Sequence, residues 1–390
     1  MRVVVVGAGA IGCLLGGLLA AAGHQVVLVG RPGRLDAVAR KGLVLDPPPG
    51  QGVAAGPWPV TVAASVPEVA AGPVPDAVLV TVKMPALDPA LGQVAAAWPV
   101  TGPARPPVVL TFQNGLGAEE RAVAVLGAGR VVAGTVTLSA ALDGHRVRVF
   151  NAGRGGIGLA PVTGTGTHRT AGGAAGRTPD PGPSHTPGVT PDPAAVQAFR
   201  QVASVWQATL PVPVATAPDA AILKWSKLLL NLVGNAVGAL LQWDVGRIFQ
   251  DPVAAAVEHR SLREAAAVAG RAAPALMDLP GYPVRLFARL TRGLPTPLFR
   301  RTVGPRAAGA RGGKLPSVAL DVAAGRHPTE IQALHGAVAR AAGALGLEAP
   351  VCAALARLVD EAAADPARRA WFRGRPDHLL AGLRRLGAWP

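Results

Sequence analysis

The stretch from Val3 to Gly23 constrains this chain more than any other, because it is apolar and carries no charge. Such a run would suit a membrane span or the hydrophobic part of a secretion signal. It opens, however, on β-branched residues, is preceded by a single arginine, and is interrupted early by Gly7, Gly9 and Gly12. That pattern fits a buried strand (2–6, RVVVV), a glycine turn and a buried helix ending near Gly23. Further short apolar runs follow at 25–29, 77–82, 108–112 and 131–138, separated by helical or proline-rich stretches. Alternation of this kind predicts a doubly wound parallel sheet of the Rossmann type.

The turn Gly7-Ala8-Gly9-Ala10-Ile11-Gly12 has the form G-x-G-x-x-G. The first glycine permits the tight turn, the second lets a pyrophosphate approach the backbone, and the third allows close helix–strand packing. First-turn amides and the positive helix end then face the phosphates. In a chain with 49 glycines the motif alone is weak; its place between strand and helix makes it specific. The expected cofactor contacts are therefore Gly7, Gly9, Ala10, Ile11 and Gly12. At the end of the second strand an acidic residue would hold a ribose 2′-hydroxyl, but Gly30-Arg31 stands there, with Arg34 close behind. A guanidinium matches a 2′-phosphate in charge and geometry, so the expected cofactor is NADPH.

At 390 residues the chain can hold two cores. Its formal charge of +15 comes from 33 arginines and five lysines, the arginines scattered among Ala, Gly and Pro. This reads as a compositional bias spread over a solvated surface, with no specific nucleic-acid partner expected. Only the run from Arg285 to Arg326 is dense enough to contact an anionic surface, and few aromatics interleave with it. Two distant cysteines, Cys13 and Cys352, give neither a disulfide framework nor metal-ligand spacing. A cytoplasmic protein without metal or membrane attachment is expected.

From Pro161 to Pro193 the composition turns to Gly, Thr, Pro and Ala without periodicity, which predicts a disordered loop. We therefore expect a first domain over 1–193 and an all-α second domain over 194–390. Helical patterns occupy 194–208, 219–242, 252–272, 316–325 and 329–346, with 351–363 and 377–386 following. The Pro/Arg-rich stretch 274–313 shows no assignable structure. The apolar surplus of the helical domain is compatible with a homodimer.

Ligands of open α/β sheets sit beyond the carboxyl ends of the strands. Lys83 follows one such strand and Asn114-Gly115 another; either could equally be an ordinary loop residue or turn. In Trp225-Ser-Lys227-Leu-Leu-Leu-Asn231-Leu-Val-Gly-Asn235 the polar residues recur every four positions. A continuous helix would align Lys227, Asn231 and Asn235 along one face of an otherwise apolar cylinder. Such a stripe is costly to bury unless it meets partners or a ligand. Lysine is also scarce here, and a compact amine that can lose its proton does what arginine cannot.

Taken in order, these motifs resemble the ketopantoate reductases (2-dehydropantoate 2-reductases). The likeness runs through GxGxxG, Arg31, LVTVK at Lys83, QNGLG at Asn114 and WSKLLLN at Lys227. It continues through KLPS ending at Ser317, then Asp321, and Thr329-Glu330-Ile331. The resemblance implies NADPH-dependent reduction of a 2-oxo acid, 2-dehydropantoate foremost, to a 2-hydroxy acid, a step of pantothenate biosynthesis. It implies Lys227 as general acid and Glu330 as the carboxylate that orients it. Asn231 and Asn235 would bind substrate oxygens, and Ser317 the substrate carboxylate. Asn114 would lie near nicotinamide and substrate, with Lys83 in the same cleft. The chemistry is consistent, since reducing a ketone develops negative charge on oxygen that an ammonium stabilises and then protonates.

The chain departs from the family where an acidic residue and Asn-Gly usually follow Glu330-Ile331; here stand Gln332 and His335-Gly336. The stretches 161–193 and 274–313 also exceed a compact member's length. Two other readings are a paralogue acting on another oxo acid or ketone, and a non-catalytic NADP-binding sensor. For the cofactor the expectation is sharp. Arg31→Ala should weaken NADPH roughly 10- to 100-fold, as for lost charge-assisted hydrogen bonds of ~1.5–3 kcal/mol, and barely affect NADH. Fluorescence titration with both cofactors checks it, and equal losses would remove Arg31 from 2′-phosphate recognition.

Overall fold

The computed structural model describes residues 1–47, 50, 52–101, 105–162, 192–311 and 313–390. Most of the segment expected to be a disordered loop, 163–191, lies outside the described residues. Internal contacts divide the chain into two compact units. The first comprises Met1–Gln113, Ala118–Lys224 and Leu279–Tyr282; the second comprises Asn114–Gly117, Trp225–Asp278 and Pro283–Pro390.

Among the described residues, the strands lie in the first unit: β1 (Arg2–Val6), β2 (Gln25–Val29), β3 (Val44–Asp46), β4 (Thr61–Ala63), β5 (Ala77–Val80), β6 (Val108–Thr111), β7 (Val131–Val136), β8 (Ala140–Asp143), β9 (Arg146–Val149), β10 (Ile157–Pro161) and β11 (Val214–Thr216). Eight form one sheet in the order β11-β10-β7-β6-β5-β1-β2-β4, and β3-β9-β8 form a second. Chain order reverses about β1, with β2 on one side and β5 on the other, both parallel to it. The glycine turn thus leaves β1 at the topological switch point of the sheet. The one departure from parallel pairing in this sheet is β10, antiparallel to β7.

Interior parallel strands are covered on both faces, which is why they read as unbroken apolar runs. Val3, Val5, Leu28, Leu79 and Leu110 are all fully buried in one cluster. The helix Ala10–Ala21 is apolar for the same reason. It packs on β1 and β2 on one side and on β3, β8 and β9 on another. A Cβ on Gly16 would lie 2.7 Å from the Leu28 side chain, and one on Gly17 2.6 Å from that of Leu45. The segment that could pass for a membrane span is therefore a buried strand, a turn and a helix packed between two sheets. No described helix is long and apolar enough to cross a membrane.

The expected boundary at 193/194 differs from the observed division. The helix Pro193–Thr209 places Ala198, Val202 and Trp206 in the sheet's core, where Trp206 stacks on Phe112 at 6.3 Å, and β11 pairs with β10. A helical pattern does not reveal which unit its apolar face joins.

The second unit is helical. Two of its helices, Pro252–Ala272 and Pro350–Ala364, pack on each other and bury most of their apolar residues. The stretch left unassigned at 274–313 contains two more helices, Val284–Gly293 and Thr296–Arg311, the latter continuing through Pro305. The single helix expected over 219–242 is two, Ala220–Leu232 and Asn235–Leu241. They are separated at Gly234, whose φ of +74° no helix accommodates and whose N–H donates to the buried Glu258 carboxylate at 2.7 Å.

His335 is fully buried in this unit, and neither ring nitrogen has a hydrogen-bond partner among the described residues. Burial pushes its imidazole down to about 3. The unfolded chain binds this proton below its ordinary pKa near 6.5 while the native state does not, so stability is full above that pH and falls as pH drops towards 3. By pH 5 this group should cost the native state about 2 kcal/mol. Urea unfolding at pH 7 and pH 5 should show His335→Leu losing about that much less than the parent; equal losses would refute the assignment.

Candidate active site

In the first unit, the three glycines of the turn are required for different reasons. Gly7 has φ +110°, and a Cβ there would lie 2.7 Å from the Val82 nitrogen. A Cβ on Gly12 would lie 2.2 Å from the Gly7 carbonyl oxygen and 2.7 Å from Thr81 Oγ1. Protein packing therefore demands both. At Gly9 a Cβ would meet nothing within 4 Å, so here the side-chain position faces open space that a ligand can occupy. Gly9 is also the N-cap, and the amides of Ala10, Ile11 and Gly12 form the first turn, with no helical carbonyl to bond. An open approach beside unspent amides fits a pyrophosphate. Thr81, which the sequence did not single out, donates through Oγ1 to the Gly7 carbonyl at 2.7 Å and holds the turn. Arg31 and Arg34 are exposed just beyond β2, and Lys83 is exposed beyond β5.

In the second unit, four of the expected residues are joined by hydrogen bonds. Asn231, at the end of the helix Ala220–Leu232, donates through Nδ2 to Asn114 Oδ1 at 3.0 Å. Asn235, which opens the next helix, donates through Nδ2 to the Asn231 carbonyl. Its Oδ1 accepts from Ser317 Oγ at 3.4 Å and from the Val318 amide at 3.3 Å. Because the helix breaks at Gly234, Asn235 does not continue the stripe of Lys227 and Asn231 as expected. It is buried, and its amide ties the break to the start of the helix Ser317–Ala323. Lys227 lies one turn before Asn231, half-buried, beside the buried Trp225, Ser226 and Leu228.

Glu330 joins the same group through the backbone. It is buried and precedes the 3₁₀ turn Ile331–Ala333. The loop after Gln113 crosses that turn, with the Leu116 amide donating to the Ala333 carbonyl at 3.1 Å. Gly115 adopts φ +87°, and a Cβ on it would lie 2.1 Å from the Ala333 oxygen. Only glycine permits this crossing. Asn114 belongs to this unit, although the strand that leads to it belongs to the other. The departure at His335 is an interior one. Among the described residues, no group of three or more His, Cys, Asp or Glu is placed to hold a metal.

A glycine turn at the switch point of a parallel sheet, and a helical unit in which Asn114, Asn231, Asn235 and Ser317 are joined by hydrogen bonds, fit an oxidoreductase. The chain belongs to the ketopantoate reductase family: residues 3–163 match the family described as ketopantoate reductase PanE/ApbA, and 220–363 match its C-terminal domain. It is 29% identical to a 2-dehydropantoate 2-reductase of Halobacterium salinarum over 92% of this chain and 98% of that one. It is 34% identical to that of Pyrococcus horikoshii, over 36% of this chain and only 42% of the relative. The crystal structure of a PanE/ApbA family ketopantoate reductase from Ralstonia eutropha superposes with a TM-score of 0.66 at 26% identity, covering 95% of this chain and all of that one.

The crossing at Gly115 is directly testable. Gly115→Ala should lower kcat/KM at least roughly tenfold by displacing Asn114 from Asn231, with nicotinamide-cofactor affinity retained. Steady-state kinetics with a cofactor titration checks this; unchanged kcat/KM would mean that the crossing has no part in catalysis.

Proposed function

We propose that this protein catalyses the NADPH-dependent reduction of a 2-oxo acid to a 2-hydroxy acid, with 2-dehydropantoate as substrate and pantoate as product. One observation carries the reading: Asn114, Asn231, Asn235 and Ser317 form one hydrogen-bonded group, one helical turn from Lys227. The names of the family and of the relatives agree with it.

In this reading Gly7, Gly9, Ala10, Ile11 and Gly12 hold the pyrophosphate, and Arg31 the 2′-phosphate. Lys83 and Asn114 serve the nicotinamide end. When bound, the reduced nicotinamide supplies a hydride to the carbonyl carbon. Lys227 stabilises the negative charge that develops on the carbonyl oxygen and transfers its proton there. A lysine suits this role because its amine can lose the proton, whereas an arginine's guanidinium keeps its charge. Glu330 orients the ammonium and keeps it charged before transfer. Ser317 binds the substrate carboxylate, Asn231 a substrate oxygen, and Asn235 serves the same oxygens while holding Ser317. The two cysteines, both buried and unpaired, fit the reducing cytoplasm in which we place the enzyme.

A panel of 2-oxo acids, each offered with NADPH and NADH, tests the reading. Turnover of 2-dehydropantoate with NADPH is the expected result, and turnover of a different acid would reassign the substrate. Lys227→Ala should lower kcat by about 10²- to 10⁴-fold with NADPH binding intact. Tight NADPH binding without turnover of any acid by the parent would leave a sensor.

A further inference from the structure

Lysine is scarce in this chain, and of its five lysines Lys224 is buried, three residues before Lys227 on the same helix. Lys224 and Glu119 are 4% and 5% exposed and form an ion pair at 3.0 Å. Thr111 Oγ1 also donates to Glu119 Oε1 at 2.7 Å. A buried ion pair contributes little net stability over an apolar replacement, so its presence calls for a further role. Lys224 has one more bond: Nζ donates to the Gln113 carbonyl at 2.7 Å. The Gln113 side chain in turn donates to the carbonyls of Val80 at 2.9 Å and Val82 at 3.0 Å. The peptide that leads into Asn114 is therefore gripped from two sides: its oxygen by a buried ammonium, its side chain by the last residues before Lys83.

We infer that Lys224, held and charge-balanced by Glu119, is a positioning residue that fixes the Gln113–Asn114 peptide and through it the placement of Asn114. A compact ammonium with three donors can serve a carbonyl and a carboxylate together in a small buried space; the planar guanidinium common elsewhere in this chain needs more room. The inference rests on the reading of Asn114 as part of an oxo-acid reductase site. Its consequence is specific. Loss of Lys224 should loosen one loop and impair handling of the oxo acid, while the glycine turn and Arg31 still bind NADPH.

Removing one charge alone would strand the other in the interior and could prevent folding. The informative protein is therefore the double variant Lys224→Met/Glu119→Gln, in which neither member of the pair strands the other and Thr111 keeps an acceptor. Three measurements are made on it and on the parent: kcat and KM for the oxo acid, the NADPH dissociation constant, and hydrogen–deuterium exchange over the 113–117 segment. We expect kcat/KM to fall roughly tenfold or more, as for a misplaced polar contact. NADPH affinity should stay within about two-fold, and exchange at 113–117 should quicken while β1 and β5 keep their protection. Unchanged exchange at 113–117, or unchanged kcat/KM in an active enzyme, would overturn the inference. So would a parallel loss of NADPH affinity and of protection throughout the sheet, which marks a purely structural pair. If the parent reduces no oxo acid, the functional reading fails, and the exchange measurement still decides whether Lys224 fixes the loop.

Discussion

In the first unit the Gly7 carbonyl and the start of the helix Ala10–Ala21 approach so closely that no side chain fits at Gly12. That approach sets where the helix begins, and the helix supports both sheets of the first unit. Thr81 spends its hydroxyl on the same carbonyl and so couples the end of β5 to the turn. Only Gly9 faces open space, and it does so where the helix presents its unspent amides. The close packing and the open approach arise from one short loop, because the backbone can be exposed to a ligand only where its neighbours need no side chain.

The second unit solves a different problem, that of holding polar side chains among apolar helices. Unsatisfied amides would be costly there. Asn235 meets the demand by spending its donor on Asn231 and its acceptor on Ser317 and Val318, while Gly234 breaks the helix to bring it there. Gly115 adds a backbone crossing that draws Asn114 to the turn beginning at Glu330. The group is held mainly by backbone and amide contacts, and half-buried Lys227 lies one helical turn before Asn231.

Much of this was legible beforehand. The strands appeared where β-branched runs are buried on both faces, and the glycine spacing led to the turn. The family was identifiable because the motifs kept their order. Less legible were the helices of 284–311, which lie in a stretch whose prolines and arginines mask the periodicity. The three-stranded sheet is also hard to read from the sequence, since its strands run only three or four residues. Scarcity marks Lys224 only as one lysine among five, and nothing marks Thr81 or Glu119, because no local pattern distinguishes a threonine or an ion pair that will be buried from one that will not.

The sequence by itself determined the class of fold, the glycine turn and the family, because those depend on residue type and on the spacing and order of motifs along the chain. Tertiary structure alone decided that Asn235 leaves the stripe, that Asn114 belongs with the helical unit, and that the helix Pro193–Thr209 belongs with the sheet. It also decided which sides of the uncharged Val3–Gly23 segment are covered, and by what. These outcomes depend on which surfaces meet. Packing between residues far apart in sequence settles that, and no local pattern encodes it.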